Sequence, residues 1–255
     1  MAIPRSRLPP RAPSRGFGEV SGVVFSLCHP VGRNRAAQVR NQVQKLPGRT
    51  QKLKTTPDTR EFYDRPTLEV AADLIGKVMV HNRRGVVTSG VIVEVEAYIG
   101  ESDPACHAAP GPTRRNQPLY GIPGYSYVYL NYGIHCLVNV VTEASGSPAA
   151  VLIRALDPLD GIDVMRRRRG ASGTNTHHLC RGPGNLTTAM GITLAENRLD
   201  LLGDRLFIED RGMLVGPMAW GPRIGINVGV EHPWRAYVAG HPAVSGARPR
   251  STARR

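Results

Sequence analysis

Over residues 91–98 the chain reads Val-Ile-Val-Glu-Val-Glu-Ala-Tyr. This apolar–polar alternation with period 2 predicts a β-strand. The alternation puts Glu94, Glu96 and Tyr98 on one face together with Ile92, and Val91, Val93 and Val95 on the other. Two carboxylates two residues apart lie ~6.6 Å from each other, from the ~3.3 Å rise of a strand, and repel. Two readings follow: a half-exposed strand with solvated acids, or a general base at the rim of a pocket.

A second alternating stretch, Tyr125-Ser-Tyr-Val-Tyr-Leu-Asn131, sets Tyr125, Tyr127 and Tyr129 on one strand face. Asn131-Tyr132-Gly133 breaks the alternation with turn residues, and 134–142 reads as a returning strand, so the segment predicts a hairpin with Tyr132 near its tip. An aromatic there has little core to bury into. It is either an incidental exposed ring or a wedge for something flat, such as a base stack.

Around these lie a helix at 67–74 after Arg65-Pro66, and a hairpin of 77–81 with 86–98 around Asn82-Arg-Arg-Gly85. A loop at 99–124 carries Pro104, Pro110, Pro112, Pro118 and Pro123, and loops this long inside a domain are usually functional. Then come a strand at 149–155, a helix at 158–168 and a flexible Gly-, Ser- and Thr-rich loop at 170–176. Gly182-Pro-Gly-Asn185 opens a helix to about 190, with Gly191 as its stop. That glycine-rich start suits either a phosphate, through its free N–H groups, or an ordinary capped helix. Short strands at 206–208, 223–227 and 234–238 finish the chain. Many strands with few, irregularly placed helices predict an α+β single compact domain around a mixed or antiparallel sheet.

Charge changes this picture by its location. The net charge is +13, and residues 1–60 hold 12 Lys and Arg against Glu19 and Asp58. Residues 61–255 hold 21 against 18, so the domain is only mildly basic. The division expected is a basic disordered tail at 1–58, the functional domain at 59–246 and a basic C-terminal tail at 247–255. Salt-dependent phosphate affinity, organelle targeting and a mis-assigned start all remain open for the first tail. Arg166-Arg-Arg-Arg169, Arg114-Arg115 and Arg181 are candidate contacts to a polyanion, and the four-arginine run reads equally as a solvated helix end. No apolar run has transmembrane length and no signal peptide with a continuous apolar centre is present, so no membrane partner is expected. Cys28, Cys106, Cys136 and Cys180 lack C-x-x-C spacing and read as reduced thiols. Cys106-His107 has no second ligand pair, so neither zinc nor another metal is expected.

Six segments, in order, resemble the alkyladenine (3-methyladenine) DNA glycosylase family. They are the V-E-V-E-A-Y strand, Cys106-His107-Ala108, the tyrosine hairpin, Val151-Leu-Ile-Arg-Ala-Leu-Asp-Pro158, Leu179-Cys-Arg-Gly-Pro-Gly-Asn-Leu186 and Pro233-Trp-Arg-Ala-Tyr-Val238. The resemblance runs from about residue 62 to 245. It implies one compact domain with a curved sheet and a protruding hairpin. It further implies that Glu96 is the catalytic acid and Arg154 holds the attacking water. Tyr98, His107 and Tyr129 would sandwich a flipped base, Tyr127 would support them, and Asn139 would disfavour the guanine amine. Tyr132 would be the wedge. From charge and the glycine-rich helix start rather than from the resemblance, Arg114, Arg181, Gly182 and Gly184 are the candidate contacts to the DNA backbone. Glu94 takes a structural part.

Glycosylases that also cut the strand use an amine, normally lysine. The only lysines are Lys45, Lys52, Lys54 and Lys77, all outside these segments. The lysines thus point to a monofunctional hydrolase, and the resemblance implies a cofactor-free monomer, expected to be cytoplasmic and nucleoid-associated. It would act on duplex DNA carrying 3-methyladenine, 7-methylguanine or hypoxanthine and leave an abasic site. Two rivals stand beside it. A non-catalytic nucleic-acid-binding module has no need of Glu96, His107 and Arg154 together. A glycoside or nucleoside hydrolase pairing Glu94 with Glu96 has no use for Tyr132.

Overall fold

β2 (Val86–Ile99) is the longest strand, and its run of Val, Ile and Thr suits a pleated, packed surface. In the computed structural model, which describes residue 57 and residues 59–170 and 175–246, most other strands assemble from it. The expected tails at 1–58 and 247–255, and most of the loop at 170–176, lie outside the described residues apart from Pro57. β1 (Val78–Arg83) pairs with the first half of β2 across the two-residue turn Arg84-Gly85, both with positive φ, as a type I′ turn requires. β5 (Ala149–Pro158) pairs along the opposite edge, followed outward by β4 (His135–Val141) and β3 (Ser126–Asn131). β6 (Leu206–Glu209) covers β1, while β8 (Arg235–Val238) takes the second half of β2 and is itself paired with β7 (Met218–Gly221). Every pairing is antiparallel, so the expected α+β fold is built on an antiparallel sheet that curls where β2 changes partner.

Four short helices, α1 (Arg60–Tyr63), α2 (Thr67–Leu74), α3 (Ile162–Arg169) and α4 (Pro183–Met190), complete the core. Leu74, Met79, Ile92, Ile153, Met165, Leu186 and Met190 are fully buried in it. Each such side chain contributes roughly 1.5–3 kcal/mol on burial. Two smaller apolar clusters lie apart from it. One joins Val78, Val80, Val91, Val93, Ala155 and Val238, and the other Cys106, Ala108, Leu119, Tyr127, Val141 and Ala150.

The strand carrying the acids departs from simple alternation. The β2–β5 register shifts between Ile92 and Glu94 and again between Glu94 and Val95. Ile92, Val95 and Ala97 therefore share the main core, whereas Val91 and Val93 belong to the second cluster. Ile92 is not on the face of the acids, and Val95 is not on the face of Val93. A bulge puts two successive residues on one side and restarts the period.

Three further boundaries differ. β5 runs through Pro158, and α3 starts only at Ile162, after Gly161 at φ 72°, where a Cβ would collide with the Val87 carbonyl oxygen. The expected strand at 223–227 is a loop: Gly225 is left-handed at φ 82° and Arg223 turns its side chain into the protein. The loop at 99–124 is knotted by local bonds. Asn116 Nδ2 donates to the His107 and Gly111 carbonyls, and Gln117–Tyr120 forms a 3₁₀ turn.

Candidate active site

Glu94 and Glu96 are both completely buried, so the solvated-acid reading fails. Arg154, on β5, bridges them: Nε donates to Glu94 Oε1 and Nη1 to Glu96 Oε2, each at 3.2 Å. The two acids differ in what else they hold. Glu94 accepts from Arg235 Nη1 at 3.0 Å, from the Ser245 N–H at 2.7 Å and from the Ser245 hydroxyl at 2.9 Å. Glu96 accepts from the Ile224 N–H at 2.7 Å and the Tyr98 hydroxyl at 2.9 Å. Burial raises the Glu96 carboxyl above its ordinary 4.5 against the pull of Arg154, Ile224 and Tyr98, with Glu94 adding repulsion. A carboxyl with a raised pKa is a better proton acceptor than an ordinary one once ionised.

In front of these acids lies a cleft of ≈ 1140 Å³. Tyr98, Arg154 and Ile224 line it, and Glu96 sits one layer behind them, sealed from solvent. The side walls come from β3 and the 99–124 loop. The Tyr127 and Tyr129 rings lie 5.3 Å apart on one face of β3, and His107 meets Tyr129 edge-on at 4.4 Å. His107 Nδ1 and the Tyr127 hydroxyl are 2.9 Å apart. Burial, with Arg115 nearby, holds His107 below its ordinary 6.5, so the ring is neutral at neutral pH. Burial pushes the Tyr127 phenol up to about 12, raises Tyr129 further, and lifts Tyr98 well above its ordinary 10 with the help of Glu96, so all three remain uncharged. Asn139 stands opposite Tyr127 on β4 and donates Nδ2 to its carbonyl at 3.0 Å.

Tyr98 is held from behind. The Arg223 guanidinium lies 4.7 Å from its ring centroid and makes a bidentate, fully buried pair with Asp103 at 2.6 and 2.8 Å. The opposite rim of the cleft is the β3–β4 turn. Tyr132 is 86% exposed, with Ile134 and Leu130 also bare beside it. Its φ of 50°, followed by Gly133 at 69°, is the left-handed pair of a type I′ turn, which a bulky residue adopts at a cost of about 1–3 kcal/mol. Facing it is the start of α4, where Pro183 occupies the first turn and Gly182, at φ 96°, caps the helix with no side-chain bond. A Cβ on Gly184 would meet the His135 ring at 2.8 Å, so only glycine lets α4 approach the hairpin this closely.

The structure thus brings Tyr98, His107, Tyr127, Tyr129, Tyr132, Asn139, Arg154, Arg181, Gly182 and Gly184 to one cleft. Arg114 is exposed on the loop and does not line it; its neighbour Arg115 reaches the Leu130 carbonyl and the Tyr129 ring instead. Tyr125 precedes β3 and lies under Arg60. The Arg166–Arg169 run forms the last turn of α3, bonded locally through Arg166 to Thr176 Oγ1, Arg168 to the Ala189 carbonyl and Arg169 to the Leu179 carbonyl. Sequence reasoning missed Asp103, Arg223, Ile224, Arg235 and Ser245. Arg235 lay inside the quoted P-W-R-A-Y-V segment, and Asp103 in the functional loop; Ser245 gave no signal. Among the described residues no three His, Cys, Asp or Glu side chains converge as a metal site would need.

A family model described as methylpurine-DNA glycosylase matches residues 61–242. Relatives that carry the name "Putative 3-methyladenine DNA glycosylase" include three from different organisms. The one from Chlorobium phaeobacteroides (strain BS1) is 47% identical over 190 residues, covering 74% of this chain and 94% of the relative. The one from Methanocella arvoryzae is 46% identical over 194 residues, covering 74% and 96%. The one from Bradyrhizobium diazoefficiens is 48% identical over 194 residues, covering 76% and 93%.

Proposed function

The chain belongs to the methylpurine-DNA glycosylase family, and on that premise we propose that it is a monofunctional, monomeric DNA glycosylase acting through residues 59–246. It releases alkylated and deaminated purines, of the 3-methyladenine, 7-methylguanine and hypoxanthine types, from duplex DNA. Its relatives carry the first of these in their names.

A base stacked in a duplex is out of reach of any cleft, so the nucleotide is flipped out. Tyr132, already bare on a strained turn, enters the gap in the stack. Arg181 and the uncapped start of α4 take the neighbouring phosphates. The purine slides between Tyr98 on one side and His107 with Tyr129 on the other, and Asn139 meets its edge and rejects the guanine 2-amino group. Water then enters at Arg154 and Tyr98, displacing one bond to Glu96 Oε2. Its oxygen bonds to the sugar C1′ as the N-glycosidic bond breaks, its proton passes to the Glu96 carboxylate, and the bond electrons leave with the purine. The same carboxylate stabilises the oxocarbenium-like transition state.

The observation that carries this reading is the bond from Tyr98 to Glu96. It puts a ring that a base can stack on and a buried, hard-to-ionise carboxyl in direct contact. Duplex oligonucleotides carrying a single 7-methylguanine, hypoxanthine or stable 3-methyladenine analogue test it. Free base should be released, leaving an intact strand with an abasic site. Tight binding without release from any substrate would favour the non-catalytic binding module.

A further inference from the structure

The segment after β8 closes the acid network from beneath. Ser245 is the pivot: its hydroxyl donates to Glu94 Oε1 at 2.9 Å and accepts from Arg154 Nη2 at 3.2 Å, while its N–H donates to Glu94 Oε2 at 2.7 Å. One hydroxyl has a single proton and two lone pairs, so the direction of this relay is fixed. Arg154 therefore spends Nε on Glu94, Nη2 on Ser245 and Nη1 on Glu96, and the third bond keeps its aim only while the first two hold.

The segment is fastened on both sides. His241 Nε2 lies 3.4 Å from Asp157 Oδ2, and Ala243 is buried in the apolar cluster of β1 and β8. Arg181, on the cleft rim, donates Nε to the Val244 carbonyl at 2.8 Å, one residue before Ser245.

We propose that Ser245 is a positioning residue of the reaction, holding Arg154 and Glu94 so that Glu96 keeps its guanidinium partner and the water its site. This rests on Glu96 being the base. Without the hydroxyl, Nη2 loses its buried acceptor and Glu94 one donor. The guanidinium then rotates toward Glu94, and Glu96 is left with less positive charge. Glu94 on the same strand, Arg154 from β5, Tyr98, Tyr129 from β3 and Arg223 are the charged and titratable groups around Glu96, and Arg235, its cross-strand neighbour on β8, bonds Glu94.

Single-turnover excision from one hypoxanthine-containing duplex, measured across pH with S245A, S245T and wild type, tests this. S245A should lose on the order of 10-fold in rate, bind lesion DNA as wild type does, and show an acid limb moved up by about one pH unit. S245T keeps the hydroxyl and should restore both rate and limb. S245C repeats the comparison should alanine lower the melting temperature. An S245A enzyme with wild-type rate and limb, or one slowed with the limb unmoved, overturns the proposal. A wild type that excises nothing overturns the glycosylase reading instead.

Discussion

The hydroxyl of Tyr98 donates to Glu96 Oε2 at 2.9 Å, so the ring that borders the cleft and the acid behind it form one unit. This bond favours the ionised carboxylate while burial disfavours it, and burial wins. With Glu96 proposed as the base, excision should fall as pH drops through a pKa above 4.5, not at the value of an exposed glutamate. Y98F removes a bond to the charged form and should move the acid limb further up. A wild-type limb at or below 4.5, or one displaced downward in Y98F, would contradict this coupling.

The same shift has a stability sign. Glu96 binds its proton more tightly folded than unfolded, so its contribution falls as pH rises from 4.5 through the folded value. Asp103 runs the other way. Burial raises its pKa, but hydrogen bonds from Arg223 and the Ala105 N–H and the charge of Arg223 outweigh it and hold the carboxyl below 3.8. Its stability is present above 3.8 and lost as pH falls through the folded value. D103N should cost roughly 3–5 kcal/mol at neutral pH, because Arg223 is left buried and unpaired, and flatten the acid side of the stability curve. Urea melts from pH 3 to 7 read both effects. A loss under about 1 kcal/mol would mean the pair is not what holds the loop.

Much of this was legible where contacts are local. Period 2 found the hairpin and Tyr132, because the turn residues Asn131, Tyr132 and Gly133 are adjacent in the chain. It misplaced Ile92 and Val95, because the bulge at Glu94 arises where β2 exchanges β1 for β8, a tertiary event with no mark in the segment itself. The partners that separate Glu94 from Glu96 come from 128 to 151 residues away. Two acids on one short stretch thus receive different hydrogen-bond partners, Arg235 and Ser245 for Glu94 and Ile224 for Glu96. Arg223, read as the start of a strand, is a buried cation because Asp103 faces it and the rings of Tyr98 and Trp234 flank it.

Replacing Tyr132 with serine should weaken capture of a lesion-containing duplex by tens of fold, since filling the vacated stack offsets an unstacking cost of about a few kcal/mol. Serine keeps a Cβ, so the left-handed strain stays, and the lost ring is exposed; the melting temperature should remain close to that of wild type. Fluorescence of a base analogue beside the lesion reports flipping directly. Equal affinity and flipping in Y132S would make the exposed ring incidental.

Among the described residues Lys77 is the one lysine, and its Nζ is held by Asp210 at 2.5 Å, away from the cleft lining. Among the described residues, elimination through a Schiff base therefore has no lysine amine in the cleft lining. Borohydride should trap no covalent complex with damaged DNA, and K77A should excise at the wild-type rate. A trapped adduct that K77A abolishes would replace hydrolysis by lyase chemistry.

The central claim, that Glu96 and not Glu94 activates the water, is tested by comparing E96Q and E94Q in single-turnover excision with lesion affinity measured alongside. E96Q should lose ~10²–10⁴-fold or more in rate while binding the lesion as tightly as wild type. E94Q should lose stability and, to a smaller degree, rate. A near-wild-type rate in E96Q together with an inactive, folded E94Q would reverse the assignment.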